Sequence, residues 1–86
     1  MEESFELYEA LLWEPGSGYF LLERHLARLT GSASHFRFRL DLEYVRAELA
    51  EFAEELAAPR KVRLELSADG GLFLEDVDVK PSAPIR

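Results

Sequence analysis

This sequence predicts a two-layer α+β domain: an antiparallel sheet and two helices in the order β-β-α-α-β-β. Three observations carry the prediction. Apolar residues recur with a period of two near both ends of the chain, and between those ends the period changes to 3.6. Two turn signals, Glu14-Pro15-Gly16-Ser17-Gly18 and Asp69-Gly70-Gly71, then divide the terminal segments into hairpins. A hairpin sheet needs one apolar face covered, and two amphipathic helices supply that cover.

In the first segment, Ser4 to Trp13, the residues Phe5, Leu7, Leu11 and Trp13 share one parity, and Tyr8, Ala10 and Leu12 the other. Apolar residues on both parities predict a strand covered on both faces. In the turn, Pro15 fixes one φ while Gly16 and Gly18 permit positive φ, and the run Tyr19-Phe20-Leu21-Leu22 reads as the returning strand. From about Glu23 the spacing becomes helical. Leu22, Leu26, Leu29, Ala33 and Phe36 fall within roughly 80° of arc at 100° per residue. Glu23 in the first turn suits the positive end of the helix, whereas Gly31 in its middle costs about 1 kcal/mol relative to Ala.

The second helix opens on Asp41 as N-cap, with Leu40 able to staple onto Val45 and Glu43 in the first turn. Leu42, Val45, Leu49, Phe52, Ala53 and Leu56 form its buried stripe, and Pro59 is expected to end it. Its other face carries Glu48, Glu51, Glu54 and Glu55 against Arg46 alone, which reads as a solvated face or, alternatively, as an acidic docking surface. Lys61 to Ser67 alternates strictly and predicts a strand with Val62, Leu64 and Leu66 inward. Leu72 to Val79 returns as a strand whose apolar parity shifts between Leu74 and Val77, so a bulge or early exit from the sheet is expected. The domain thus runs over 1–79, and 80–86 has the composition of a linker.

Composition narrows the functional classes. At 86 residues the chain buries only about 60–65% of its unfolded surface, enough for one modest core and too little to enclose a large cofactor. Ten Lys and Arg against seventeen Asp and Glu give a net charge of −7, which repels phosphate backbones, so nucleic acid is not an expected partner. With no Cys there is neither a disulfide framework nor a thiolate metal site. No window reaches the roughly 18 apolar residues of a membrane span, and the start is acidic at Glu2 and Glu3. The cytoplasm is the expected location.

Catalytic motifs are thin. Gly16-Ser17-Gly18 is a hairpin loop, too short to cradle a phosphate. Glu23 and His25 stand two apart on a helix, where side chains diverge, so they predict no metal pair. The first helix does carry a polar flank beside its Leu stripe: His25 and Ser32 border the stripe, with Arg28 and His35 farther round on the same side. A guanidinium grips phosphate or carboxylate with two parallel donors, so Arg28 is a candidate anion ligand; pairing with a surface acid is the alternative.

The run Glu23-Arg24-His25-Leu26-Ala27-Arg28-Leu29, followed by Ser32-Ala33, is the most specific stretch. With the rest of Ser4 to Ala33, and with Arg60 to Gly70, it resembles the class IV aminotransferases, the fold type IV pyridoxal phosphate enzymes. It is nearest to the 4-amino-4-deoxychorismate lyase branch, including the form fused to component I of para-aminobenzoate synthase. The resemblance spans nearly the whole chain. It implies that Arg28 contacts the cofactor phosphate, that Arg63 lines the substrate side of the pocket, and that no residue of this chain is catalytic. Arg63 as a cross-strand ion-pair partner is the alternative.

The resemblance further implies a small N-terminal domain whose partners are a second, cofactor-binding domain of the same polypeptide, a homodimer mate and a small-molecule substrate. The lysine that holds pyridoxal phosphate in that family belongs to the second domain; Lys61 and Lys80 do not match its motif. Ala10 stands where the lyase branch has Thr. The chain alone is therefore expected to bind no cofactor and to be inactive. A branched-chain or D-amino-acid aminotransferase, and a stand-alone protein-binding module without enzymatic activity, are the alternative functions.

Overall fold

The computed structural model describes residues 5–78, and it has the two-layer architecture expected. Strands β1 (Leu7–Glu14), β2 (Gly18–Tyr19), β3 (Arg60–Leu66) and β4 (Leu72–Asp78) form one antiparallel sheet in the order β2-β1-β3-β4. Helices α1 (Leu22–Phe36) and α2 (Leu42–Ala53) cover one face, α1 over β1 and α2 toward β4. The core between the layers takes Leu26, Leu29 and Ala33 from α1 and Val45 and Leu49 from α2. Leu11, Val62, Leu64 and Leu66 complete it from the sheet.

Four local expectations need correction. First, β1 is covered on one face only. Its odd residues point toward the helices, while Tyr8 and Leu12 on the other parity remain 55% and 39% exposed, because both helices lie on the same side of the sheet. Second, β2 is two residues long, not the four of Tyr19 to Leu22. Phe20 N–H still donates to the Leu12 carbonyl, but Leu21 turns into the left-handed region at φ 52° and α1 begins at Leu22.

Third, α2 ends at Ala53, well before Pro59. The next three amides, from Glu54 to Leu56, bond back three residues instead of four. No basic residue lies in the last turn, and Glu51, Glu54 and Glu55 crowd the negative end of the helix dipole, which disfavours its continuation. Fourth, no bulge interrupts β4. The β3–β4 ladder runs in register from Leu66↔Leu72 to Arg60↔Asp78, and the inward Asp76 is bound by Arg60 Nε at 2.7 Å, with Asp78 also on the Arg60 guanidinium. The parity shift marks a polar end to the inner face, not a change of register. The expected linker, 80–86, lies outside the described residues.

The turn chemistry is as expected. Asp41 Oδ1 accepts from the amides of Glu43 and Tyr44 at 3.1 and 3.2 Å, capping α2. At the β3–β4 turn, Asp69 accepts from Gly71 N–H and from the Ser67 hydroxyl, bonds that hold its carboxyl below the usual range, and Gly70 adopts φ 95°. Gly31 lies within α1, and a Cβ there meets nothing within 4 Å. Gly31→Ala is therefore expected to stabilise the domain by about 0.5–1 kcal/mol, read as a rise of several degrees in melting temperature.

Tyr19 ties the hairpin to α2 through its hydroxyl, which donates to the Leu49 carbonyl at 2.8 Å. Burial pushes the phenol up to about 12. A phenol harder to ionise in the folded state contributes stability that is complete below pH 10 and is lost as pH rises toward 12. Tyr19→Phe is expected to cost about 1 kcal/mol at neutral pH and to remove this alkaline component from the stability profile.

Candidate functional site

Arg28 and His25 sit three residues apart on α1, so both side chains leave the same side of the helix. That side meets β1, where Glu9 occupies an inward position between Leu7 and Leu11. A carboxylate on an apolar strand face must be paired, and Glu9 is: its side chain is 8% exposed, Oε1 lies 2.7 Å from His25 Nδ1, and Oε2 lies 3.4 Å from Arg28 Nε. A carboxylate only accepts, so Nδ1 of His25 is the donor. The guanidinium nitrogen nearest Glu9 is Nε. The two terminal nitrogens of Arg28 extend past it on a side chain that is 72% exposed.

The strand leaves room here. Only Trp13 and Glu14 of β1 pair with β2, and the Phe20 amide reaches Leu12. Even-numbered residues of β1 turn their peptide groups to that side, so among the described residues those of Tyr8 and Ala10 face no strand. An open concavity of about 430 Å³ wraps round this free edge, lined by Tyr8, Glu9, Ala10, His25, Arg28 and Arg63. Consecutive strand residues point to opposite faces, so contact with Tyr8, Glu9 and Ala10 together means that the concavity joins the helix side of the sheet to its bare side.

Arg63 enters from the bare side. It stands opposite Ala10 in the register, and that small neighbour leaves the guanidinium reachable. On its other flank it donates to Glu75 Oε2 at 3.0 Å across β3–β4, so the cross-strand pairing holds and Arg63 lines the concavity as well. Tyr8 faces Glu65 across β1–β3. That carboxylate, aided by burial and by Glu6 and opposed by Arg63, raises the phenol above its usual range.

The structure thus brings both sequence-derived candidates, Arg28 and Arg63, to one place. It adds Glu9, which sequence reasoning passed over. The signal was present: in the series Phe5, Leu7, Glu9, Leu11, Trp13, a single acid takes an inward place. An inward carboxylate implies a cationic partner on the covering element, and α1 packs over β1.

A sequence model of class IV aminotransferases matches residues 6–85. The chain belongs to this family. No curated protein matches it. Among solved structures, a protein of Mesorhizobium loti assigned as an amino-acid aminotransferase superimposes with a TM-score of 0.82 at 31% identity, over 91% of this chain. The class IV aminotransferase chain described here spans 38% of the length of that structure. Class IV aminotransferases use pyridoxal phosphate, and the exposed Arg28 guanidinium at the open recess, with Glu9 toward its Nε, has the donor chemistry that a phosphate takes. Among the described residues no helix is long and apolar enough to cross a membrane.

Proposed function

We propose that this chain is the small N-terminal domain of a pyridoxal phosphate enzyme, an aminodeoxychorismate lyase of the cytoplasm that releases pyruvate and forms para-aminobenzoate for folate synthesis. The observation that carries the reading is the convergence of Arg28 and Arg63 on one recess at the free edge of β1. Arg28 would hold the cofactor phosphate through its terminal nitrogens. Arg63 would face a carboxylate of the substrate, with Tyr8 beside it as a neutral hydrogen-bond donor. When bound, the cofactor would supply an electron sink for charge developing at the substrate carbon that bears the amino group. A lysine elsewhere in the polypeptide would hold the cofactor and take the proton from that carbon.

The choice of lyase rests on the resemblance of Ser4 to Ala33. The Mesorhizobium loti relative favours a second reading, transfer of the amino group to a 2-oxo acid. The two reactions differ in what they release. Given aminodeoxychorismate and pyridoxal phosphate, the full-length polypeptide is expected to yield para-aminobenzoate and pyruvate in equal amounts with no amino acceptor present. Turnover that requires a 2-oxo acid and releases no pyruvate would select the aminotransferase. The 86-residue chain by itself is expected to turn over neither substrate.

Tyr8, Leu12 and Phe73 on the bare sheet face are 55%, 39% and 53% exposed, an apolar surface suited to the second domain and a homodimer mate. The isolated chain is therefore expected to self-associate at high concentration, and a strictly monomeric sedimentation profile would count against that assignment.

A further inference from the structure

We infer that Glu9 is a positioning residue for this site: held by His25, it fixes the Arg28 guanidinium so that both terminal nitrogens face the cofactor phosphate. The inference rests on the reading of Arg28 given above. Its basis is how the two carboxylate oxygens are divided. Oε1 is taken by His25 Nδ1 at 2.7 Å, which anchors the carboxylate, and Oε2 faces Arg28 Nε at 3.4 Å. Nε lies at the root of the guanidinium fork. A partner there restrains the long, exposed side chain while leaving the four terminal N–H donors free for an anion. Glu9 is carried by a strand, is 8% exposed and is held by His25, so the carboxylate stands on a rigid element.

Charge and geometry predict opposite signs here. Glu9 places a negative charge beside a phosphate-binding arginine, so on charge alone its removal should tighten phosphate binding. If Glu9 positions Arg28, its removal should weaken binding. The experiment compares pyridoxal phosphate with pyridoxal, which lacks the phosphate, by measuring dissociation constants for the full-length polypeptide as wild type, Glu9→Gln, Glu9→Asp, Arg28→Ala and the Glu9→Gln/Arg28→Ala double variant. Glu9→Gln is expected to weaken pyridoxal phosphate about tenfold, the scale typical of residues that orient a ligand-binding side chain. Glu9→Asp, which keeps the charge but shortens the reach, should weaken it by a comparable factor.

Pyridoxal affinity should not change in either variant, which also shows that the fold is intact. The double variant should bind no more weakly than Arg28→Ala alone, because Glu9 acts through Arg28. Tighter or unchanged pyridoxal phosphate binding in Glu9→Gln, with Arg28→Ala impaired, overturns the inference and leaves the phosphate role of Arg28 standing. Equal losses of both ligands in the Glu9 variants also overturn it, since Glu9 would then be a structural residue. If Arg28→Ala itself does not discriminate between the ligands, the Arg28 reading fails, and the role of Glu9 falls with it.

Discussion

Leu64→Ala is expected to remove about 2–5 kcal/mol of stability, a large share of what a domain of this size possesses. Leu64 is 1% exposed on β3, an interior strand, between Glu9 of β1 and Leu74 of β4 in the register. Both helices lie on the side it faces, so neither neighbouring strand nor helix can collapse into the space left by the lost carbons without moving the other layer. Denaturant unfolding reads the effect as a lower midpoint at unchanged slope. A loss below about 1 kcal/mol would mean that the site refills, which is incompatible with a close-packed interface between sheet and helices.

For ligand binding the largest expected effect is at Arg28. Arg28→Ala in the full-length polypeptide should weaken pyridoxal phosphate by about 10- to 150-fold, the equivalent of the 1.5–3 kcal/mol that hydrogen bonds to a charged group contribute. Arg28→Lys should recover only part of this, since an ammonium offers a point charge and has no Nε to meet Glu9. Equilibrium titration of cofactor absorbance measures both. Full recovery in Arg28→Lys would show that charge suffices and that the fork geometry is irrelevant.

The element order, the Asp41 cap and the Asp69–Gly71 turn were legible because each follows from local chemistry: a period, a side-chain acceptor, a residue free to adopt positive φ. The misreadings have a common cause, which is that the answer lay in another element. Whether the even face of β1 is covered depends on where both helices pack. The end of α2 depended on acid accumulating at its C-terminus, and no single residue signals that. The parity shift in β4 was visible, but its resolution needed Arg60, a residue sixteen positions earlier that receives Asp76. The polar flank that carries Arg28 was legible from helical spacing, yet its ion pair was not, because Glu9 reaches it only once β1 and α1 pack together.

The pairing of β1 with β3 also sets the order in which this chain can fold. Leu7 meets Leu66 and Trp13 meets Arg60, so the middle of the sheet joins segments separated by the whole helical layer. The β3–β4 hairpin and the two helices can form from near neighbours; closing β1 onto β3 must overcome the loop entropy of everything between them. During synthesis β1 leaves the ribosome before β3, with both helices between them. Until β3 arrives, the inward side chains of Leu7, Leu11 and Trp13 have only β2 and α1 for company, and this interval is when the chain is most exposed to pairing with the wrong strand.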